Sequence, residues 1–217
     1  MKELIVAVLL AAVGSAAWGQ NLSGSSPSGN IQWSDDGANV NIWWSAKSNN
    51  RTVLCPSGSD YGYFNIKVSP DDYWLVVESG GSSMGDSVEL RRRNVNVGDA
   101  VLFKTMAQCG VTADINNQAE AAFMKQNNIQ GGQLDHRYVH VESWSRDSAT
   151  MYVSLGGHSG GDVAGPGAKA PKISVTVAWI GLYDLGKHQF VDCDQAPCNP
   201  GKATVIYPDQ NGNYPGY

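Results

Sequence analysis

Residues 31–44 read IQWSDDGANVNIWW, and this stretch decides the fold class. Apolar and polar residues alternate on both sides of the Asp36-Gly37 pair, which is a strong turn signal between two strands. Val40, Ile42 and Trp44 are expected on one face of the second strand, because successive side chains of a strand point to opposite faces. The stretch therefore predicts a β-hairpin.

The same period of two recurs along most of the chain. It predicts further strands at residues 64–68, 73–77, 88–90, 100–105, 138–144, 150–155, 172–182 and 204–207. One segment breaks the pattern, because residues 117–126 consist of good helix formers and predict a short α-helix. The strands and the single helix predict a mainly β fold, an antiparallel β-sandwich of Greek-key or jelly-roll type. A partly open barrel is the alternative.

Local composition predicts how the chain is organised. Residues 1–19 contain an apolar run at 4–13 followed by small residues, which is typical of a secretory signal peptide and too short for a membrane span. Residues 20–30 are rich in Ser, Gly and Asn and predict a flexible leader. A single β-sandwich domain is expected over 31–207, followed by an irregular tail at 208–217. The protein is thus expected to be secreted, with no transmembrane segment.

The charge balance argues against a nucleic-acid partner. The 217-residue chain has 15 Lys and Arg against 20 Asp and Glu, a net charge of -5, so it has no basic excess to neutralise phosphates. Only 16% of the residues are charged, and Gly, Ser and Asn take their place, as in many extracellular β proteins. Asn21 and Asn50 begin glycosylation sequons, which matter only in a eukaryotic source.

The four cysteines are expected to form disulfides if the protein is secreted. Three pairings of Cys55, Cys109, Cys193 and Cys198 are possible. We favour Cys193–Cys198, which closes a four-residue loop containing proline, and this leaves Cys55–Cys109 as a long-range pair. The cysteines have no C-x-x-C spacing, and no histidine lies near Cys55 or Cys109, so no metal site is predicted.

Two motifs could carry catalysis, but the predicted secondary structure around them and the spacing of their residues do not fit a catalytic site. Gly157–Gly161 fits G-x-S-x-G, but the following residues VAGPG cannot form the helix of a nucleophile elbow, so a loop is expected. His136 and His140 would stand about 13 Å apart on a strand, too far to share a metal ion. The sequence therefore predicts no enzyme, no metal and no cofactor.

Paired aspartates occur at predicted turns. They are Asp35-Asp36, Asp71-Asp72 and Asp192-x-Asp194. Aspartate is favoured in turns because its carboxylate accepts local backbone hydrogen bonds. None of the pairs matches a known calcium-loop spacing, so turn formation is the favoured interpretation and calcium binding the alternative.

Two segments are similar to parts of the cupredoxin family. Residues 152–158 and 173–177 resemble its last two strands, and VNVGDAVLF at 95–103 resembles another strand of that family. Val153 stands where the copper-binding cysteine would fall, and no histidine follows Phe103 before the predicted helix. The resemblance therefore implies a Greek-key topology without a type 1 copper site.

Aromatic residues are the best candidates for a binding surface. Trp43 and Trp44 are consecutive on a predicted strand, so at most one of them faces the core, and Tyr61 and Tyr63 are expected on the outer face of the next strand. Outward Trp and Tyr stack on sugar rings or anchor a protein partner, although a second sheet or loop covering them is the competing interpretation. These four residues predict a secreted, non-catalytic protein that binds a glycan or another extracellular surface.

Two other functions fit the same composition. The chain is alternatively an extracellular structural subunit that binds a second copy of itself through edge strands and termini. A small secreted hydrolase is the third hypothesis. The sequence does not identify the ligand or the oligomeric state.

Overall fold

The computed structural model describes residues 23–36, 38–47, 49–56, 63–82, 85–95, 102–109, 114–159 and 170–215. Side chains at positions 55, 56, 63, 64, 81, 82 and 108 are not described. The predicted signal peptide at 1–19 lies outside the described residues. Strands make up 51% of the described residues and one helix accompanies them, which confirms the prediction of a mainly β, sandwich-like fold.

A four-stranded antiparallel sheet forms from consecutive strands, and we call it the small sheet. Its strands are β1 (Ser23–Ser25), β2 (Ile31–Asp35), β3 (Asn39–Trp44) and β4 (Thr52–Pro56). Asp35 pairs with Val40, which confirms the predicted hairpin.

Part of the predicted flexible leader belongs to the small sheet. β1 pairs with β2, and Gly24 lies opposite Trp33. A Cβ atom at Gly24 would lie 2.6 Å from the Trp33 ring, so the missing side chain leaves room for the indole. The next residue after β1, Ser26, is buried. The folded part of the chain therefore begins before Ile31, whereas the sequence predicted that it starts at Ile31.

The remaining strands form a ten-stranded sheet, called here the large sheet. They are β5 (Tyr63–Val68), β6 (Trp74–Ser82), β7 (Gly85–Arg93), β8 (Phe103–Thr105), β9 (His136–Trp144), β10 (Thr150–His158), β11 (Lys172–Val177), β12 (Trp179–Asp184), β13 (Gln189–Val191) and β14 (Lys202–Ile206). Their main order is β13-β12-β10-β9-β7-β6-β5, with β8 beside β7 and β11 between β10 and β14. All pairs are antiparallel except β7 and β9, so the expectation of a wholly antiparallel fold is corrected at one pairing.

The long strand predicted at residues 172–182 is divided at Ala178. Both parts run along β10, but the register changes between the His158–Ser174 and Leu155–Trp179 pairs. The interruption breaks the strict alternation of faces. Val177, which the pattern places on the buried face, is 41% exposed as a result.

The predicted helix is present as α1 (Ile115–Gln126). It begins at Ile115 rather than at Asn117 because Asp114 is its N-cap, and the Asp114 carboxylate accepts a hydrogen bond from the Asn117 backbone N–H at 3.1 Å. Ile115, Ala119 and Phe123 are buried in the core that the helix shares with the large sheet. The apolar spacing seen in the sequence therefore marks the packed face.

Strand β6 separates two hydrophobic cores. Leu75 and Val77 pack with the small sheet in one core, and Trp74 and Val76 pack with α1, β9, β10 and β12 in the other. All four side chains are at most 8% exposed. A strand that is buried on both faces has a continuous apolar sequence, as the run Trp74–Val77 has.

A buried carboxylate fixes the course of β9. Glu78, on β6, is 2% exposed and accepts hydrogen bonds from Asn65 Nδ2 at 2.8 Å, Lys67 Nζ at 3.0 Å and the Val141 backbone N–H at 2.6 Å. Lys67 also donates to the Val141 carbonyl oxygen. Among the described residues, β9 pairs with β7 only at Arg137 and Tyr138. Beyond Tyr138, β9 therefore separates from β7. The backbone N–H and carbonyl of Val141 hydrogen-bond instead to the side chains of Glu78 on β6 and Lys67 on β5.

The disulfide prediction is half right. Cys193 and Cys198 are bonded, with their Cα atoms 6.1 Å apart, as predicted. The Cys109 thiol is free, so the predicted Cys55–Cys109 pairing is wrong for this structure. Cys55 lies on β4 of the small sheet, whereas Cys109 ends a short 3₁₀ turn after β8 of the large sheet. An even number of cysteines carries no information about which strands lie side by side.

The tail is irregular as far as Pro215, the last described residue. It nevertheless packs on the domain, because the Tyr214 hydroxyl donates to the Ala170 carbonyl at 2.6 Å and the Lys172 ammonium lies 4.5 Å from the Tyr214 ring centroid. Among the described residues, no helix has both the length and the apolar character needed to cross a bilayer.

Removal of the Glu78 carboxylate is expected to destabilise the fold strongly. Glu78→Ala leaves the Val141 N–H without its acceptor and the Lys67 ammonium without its counter-charge, and we expect a loss of about 3 kcal/mol in urea unfolding. Glu89→Ala is the matched control, since Glu89 is 45% exposed and bonded only to Arg91 among the described residues, and its removal should change stability by less than about 1 kcal/mol. Equal unfolding midpoints for the two variants would contradict this role of Glu78.

Gly85 is expected to be essential for the pairing of β7 with β9. It has φ +95°, and a Cβ atom there would lie 1.9 Å from the Arg137 carbonyl oxygen. Gly85→Ala should therefore destabilise by more than about 2 kcal/mol in the same assay. Gly131→Ala is the control, because Gly131 also has positive φ but its added Cβ meets no atom within 4 Å, so about 1 kcal/mol is expected. A similar loss for both variants would show that only backbone conformation matters at Gly85.

Candidate binding surface

The structure places the four predicted aromatic residues in different surroundings. Trp43 and Trp44 lie on opposite faces of β3, as the alternation predicts, so they do not form one platform. Tyr61 lies outside the described residues. Tyr63 begins β5, and its side chain is not described. The two tryptophans therefore have to be considered as separate sites.

Trp43 is not the open platform that the sequence suggested. It faces away from the core of the small sheet but is only 8% exposed. The Arg51 guanidinium carbon lies 4.4 Å from the Trp43 ring centroid, and the indole Nε1–H donates to Gln32 Oε1 at 3.1 Å. The stacked Arg51 thus covers the indole of Trp43. This corrects the expectation that Trp43, if it faces outward, is exposed to solvent.

Trp44 belongs to a partly exposed cluster that joins the two sheets. The Arg93 guanidinium carbon lies 5.7 Å from the ring centroid of Trp44 and 5.7 Å from that of Tyr73. We call these three residues the Arg93 stack. Each of them is half-buried. Trp44 ends β3, Arg93 ends β7 and Tyr73 precedes β6, so the stack exists only when both sheets are in place.

Local hydrogen bonds hold Tyr73 beside Arg93. The Arg93 backbone N–H donates to the Tyr73 carbonyl at 2.7 Å. On the other side of Tyr73, the Asp71 carboxylate accepts from the Tyr73 N–H at 3.0 Å and from the Ser69 hydroxyl at 2.5 Å. This is the turn chemistry predicted for Asp71. The Tyr73 ring is therefore positioned by its backbone and not by packing alone.

Asp72 ties the same turn to the small sheet. Its carboxylate is nearly inaccessible to solvent and accepts from the Ser28 hydroxyl at 2.8 and 2.7 Å and from Asn30 Nδ2 at 2.9 Å. The Asn30 carbonyl in turn accepts from the Ser45 N–H at 2.8 Å, next to Trp44. Asp72, which the sequence assigned only to a turn, thus holds the two sides of the Arg93 stack together.

The stack is anchored in the core through further aromatic contacts. Tyr73 and Trp74 meet edge to face with ring centroids 5.2 Å apart, and Trp74 meets His188 at 6.1 Å. Trp74 is only 8% exposed. Edge-to-face contacts of this kind stabilise beyond the burial of area. The half-buried Arg93 stack is therefore the outer end of a series of ring contacts that reaches Trp74 in the core shared by α1 and the large sheet.

Arg93 has no ionic partner in the described part of the chain. Among the described residues, no carboxylate lies within ion-pairing distance of Arg93, and its guanidinium donates no hydrogen bond. The neighbouring Arg91 differs, since it is paired with Glu89 at 2.8 Å and donates to the Leu54 carbonyl. Arg92 stands opposite Lys104 across the β7–β8 pair. Arg92 and Lys104 are therefore placed on the face of the β7–β8 pair opposite to Arg93, because successive side chains of a strand point to opposite faces.

The histidines form pairs that their spacing does not predict. His136 and His158 are opposite each other on β9 and β10, and their rings stack at 4.7 Å with an interplanar angle of 5°. His140 instead contacts Asp86, with Nε2 3.1 Å from Oδ2. His136 and His140 are thus in different contacts. No cluster of three or more potential metal ligands occurs among the described residues.

The serine of the G-x-S-x-G motif has a structural role. The Ser159 hydroxyl accepts a hydrogen bond from the Ile173 N–H at 2.7 Å and lies 3.4 Å from the Pro171 carbonyl. It therefore joins β10 to β11 where the chain enters and leaves the predicted loop. Gly160 and Gly161 lie outside the described residues.

Comparisons with known proteins do not assign a family. No family model matches the chain, and no curated protein matches it. One solved structure, from a structural and mechanistic study of two prolyl endopeptidases, is similar over 86% of this chain at 11% identity and a TM-score of 0.33. The match spans 29% of that longer chain. A similarity at this level says nothing about activity, so the function has to be argued from the residues.

The Asp36 turn predicts a pH-dependent contribution to stability. Hydrogen bonds from the Asn39 and Ala38 backbone N–H groups, and then from Asn41, hold the pKa of Asp36 below its ordinary value of 3.8. A lowered folded-state pKa stabilises the fold above the unfolded-state pKa, and the gain is lost as the pH falls through the folded-state pKa. Asp36→Ala should therefore lower the Tm at neutral pH.

The difference in Tm should shrink when both proteins are unfolded well below pH 3.8, since the wild-type carboxyl is then protonated too. Asp194→Ala is the control, because Asp194 is exposed and forms no hydrogen bond or ion pair with the described residues. A Tm difference for Asp36→Ala that does not depend on pH would show that the carboxylate charge is not involved.

Proposed function

We propose that the protein is a secreted, non-catalytic binding module that binds a glycan at the Arg93 stack. One observation carries the proposal: two half-exposed rings, one from each side of the sandwich, flank an arginine that has no carboxylate partner among the described residues. Trp44 was among the residues predicted from sequence, whereas Arg93 and Tyr73 enter through the fold.

The chemistry of the stack suits a sugar. The C–H face of a sugar ring packs well on an indole or phenol ring, which offers a large, rigid apolar surface. Guanidinium N–H groups donate to oxygen acceptors in a fixed fork, so Arg93 supplies direction as well as attraction. A ligand with alternating apolar faces and oxygen atoms satisfies both kinds of group together.

Secretion is part of the proposal and has its own support. Residues 1–19 have the composition of a signal peptide. The chain contains the Cys193–Cys198 disulfide, and disulfides persist in oxidising compartments such as the extracellular space. Asn50, one of the two sequon residues, is exposed at the turn before β4. These features favour an extracellular ligand over a cytosolic one.

The proposal that the protein is non-catalytic rests on the structural hydrogen bonds that its serine and aspartate side chains form. The Ser159 hydroxyl holds two strands together, and the carboxylates of Asp36, Asp71 and Asp72 hold turns. Nucleophilic catalysis needs a hydroxyl within reach of a base that a third group orients. Ser154, whose hydroxyl donates to Glu142 at 2.5 Å, is nearly buried, which leaves a substrate little access.

Self-assembly is the second candidate function, and one observation favours it. In the described part of the chain, β4 lies at the edge of the small sheet and β5 at the edge of the large sheet. Val53 on β4 is 55% exposed. Exposed edge strands are templates for pairing with another copy. Sedimentation of the purified protein alone separates the two functions, since an assembling subunit pellets without any polysaccharide.

Trp44→Ala is expected to reduce binding about tenfold or more in a depletion assay with insoluble polysaccharides, because it removes one wall of the stack. Tyr138→Ala is the matched control, since Tyr138 is 39% exposed on β9, outside the stack, and it should bind like the wild type. Trp44→Leu keeps an apolar side chain toward the core and tests the ring itself if the alanine variant unfolds. Wild-type affinity in a folded Trp44 variant would falsify the assignment of the site.

A further inference from the structure

A glycosylation sequon lies close to Trp44 in the fold. Asn50, Arg51 and Thr52 form the acceptor motif N-x-T for an N-linked glycan. We propose that Asn50 carries such a glycan and that its first sugar, an N-acetylglucosamine, packs on the Trp44 ring. This step rests on the secretion that is part of the proposed function, because only a chain in the secretory pathway meets the transferring enzyme.

Asn50 lies where the folded domain can accommodate a glycan. It is exposed, and its backbone N–H donates to the Lys47 carbonyl oxygen at 2.9 Å in the turn before β4. A glycan is bulky and hydrophilic, so it has to remain outside the core. The position of Asn50 meets that condition. Asn21, the other sequon residue, lies outside the described residues.

The side chain of Arg51 shows which face of the small sheet Asn50 shares. Arg51 lies on Trp43, with its guanidinium carbon 4.4 Å from the ring centroid. Successive side chains of a strand point to opposite faces, so Asn50 and Thr52 are directed away from Trp43. Trp44 is directed away from Trp43 for the same reason. Asn50 and Trp44 are therefore on the same face.

The register of β3 and β4 brings Asn50 beside Trp44. Ile42 lies opposite Thr52. In an antiparallel pair, each step forward on one strand matches a step back on the other. Two steps beyond the Ile42–Thr52 pair therefore place Trp44 opposite Asn50. Directly opposite side chains have Cβ atoms about 4.5–5.5 Å apart, so a sugar attached to Asn50 starts within reach of the indole.

Trp44 also has the accessible ring surface that a sugar needs. It is half-buried, whereas Trp43 is only 8% exposed. The Arg93 guanidinium carbon lies 5.7 Å from the Trp44 ring centroid, which is farther than Arg51 lies from Trp43. The apolar C–H face of N-acetylglucosamine packs well on an indole. Because the sugar is tethered to the same chain, its effective concentration at the ring is high.

The covalent step needs one co-reactant, an oligosaccharide linked to a lipid diphosphate, which the eukaryotic secretory pathway supplies. The Asn50 side-chain nitrogen Nδ2 forms a bond to C1 of the first sugar. The bond between C1 and the diphosphate oxygen breaks, and the lipid diphosphate leaves with that electron pair. Nδ2 loses one proton, so the amide keeps one N–H and no oxidation or reduction takes place.

The first experiment tests whether Asn50 is modified. The full chain with Asn21→Gln, which leaves one sequon, is produced in a eukaryotic secretory host, and its mass is measured in the medium and in the secretory compartments. We expect a glycan on this chain and on its Thr52→Ser variant, which keeps the acceptor motif. The Thr52→Ala variant keeps Asn50 but loses the motif, and it should carry no glycan.

The second experiment measures the coupling between the sugar and Trp44. An endoglycosidase trims the glycan to one N-acetylglucosamine, and the Tm is compared with that of Asn50→Gln. We expect the sugar to raise the Tm by about 2–4 °C, and by less than about 1 °C in a Trp44→Leu background. Tyr138→Ala is the control background, because Tyr138 is exposed on β9 of the large sheet, and the full gain should remain there.

A direct measurement on the trimmed chain covers the case in which Trp44→Leu does not fold. We expect nuclear Overhauser contacts between the sugar ring protons and the indole protons of Trp44, since the two groups are in van der Waals contact. Their absence from the folded, glycosylated chain would overturn the contact with Trp44.

The outcomes separate this inference from the proposed function. A chain that does not enter the secretory compartments would overturn the secretion that the proposed function includes. A bare Asn50 on a chain inside those compartments would overturn the glycosylation site alone. An equal Tm change with Trp44 and with Trp44→Leu would overturn the packing of the sugar. Binding of polysaccharides is measured on Asn50→Gln, so the test of the Arg93 stack does not depend on these results.

Discussion

The structure depends on one buried carboxylate. Glu78 and Lys67 satisfy the backbone of β9 at Val141, where β9 has left its parallel contact with β7. Backbone groups in an interior need partners, and the missing strand neighbour is replaced here by side chains. Without them, β9 would either continue beside β7 or lose its hydrogen bonds. The second half of the large sheet and the packing of α1 follow from the position of β9.

The same region explains why the described part of the molecule has two hydrophobic cores and not one. β6 carries Glu78 and also the run Trp74–Val77, whose side chains alternate between the small sheet and the helix side. A strand buried on both faces has no room for polar residues unless they are paired, and Glu78 meets that condition with three donors. The hydrogen bonds of Glu78 and the apolar run Trp74–Val77 therefore both belong to β6. Together they fix which elements pack on each face of this strand.

The candidate binding surface is a consequence of this arrangement. Trp44 comes from the small sheet, and Arg93 and Tyr73 come from the large one, so their contact requires the two layers to meet at this edge. Asp72 strengthens the junction through Ser28 and Asn30. Arg51 covers the neighbouring Trp43, while the Arg93 stack keeps half-exposed rings and an arginine that has no carboxylate partner among the described residues. Function is accordingly proposed at a junction of layers and not on a single strand.

The sequence by itself determined the local elements: the hairpin around Asp36, the helix that ends at Gln126, and the short Cys193–Cys198 loop. Hydrophobic periodicity, turn residues and short loop closure involve neighbours along the chain, so a single sequence reveals them. The parallel contact of β7 with β9, the free Cys109 and the Arg93 stack were decided by the tertiary structure alone. Each of these features depends on which strands, distant along the chain, lie side by side in the fold. The pairing of distant strands is set by how apolar and polar side chains are buried together. The spacing of residues along the chain does not encode it.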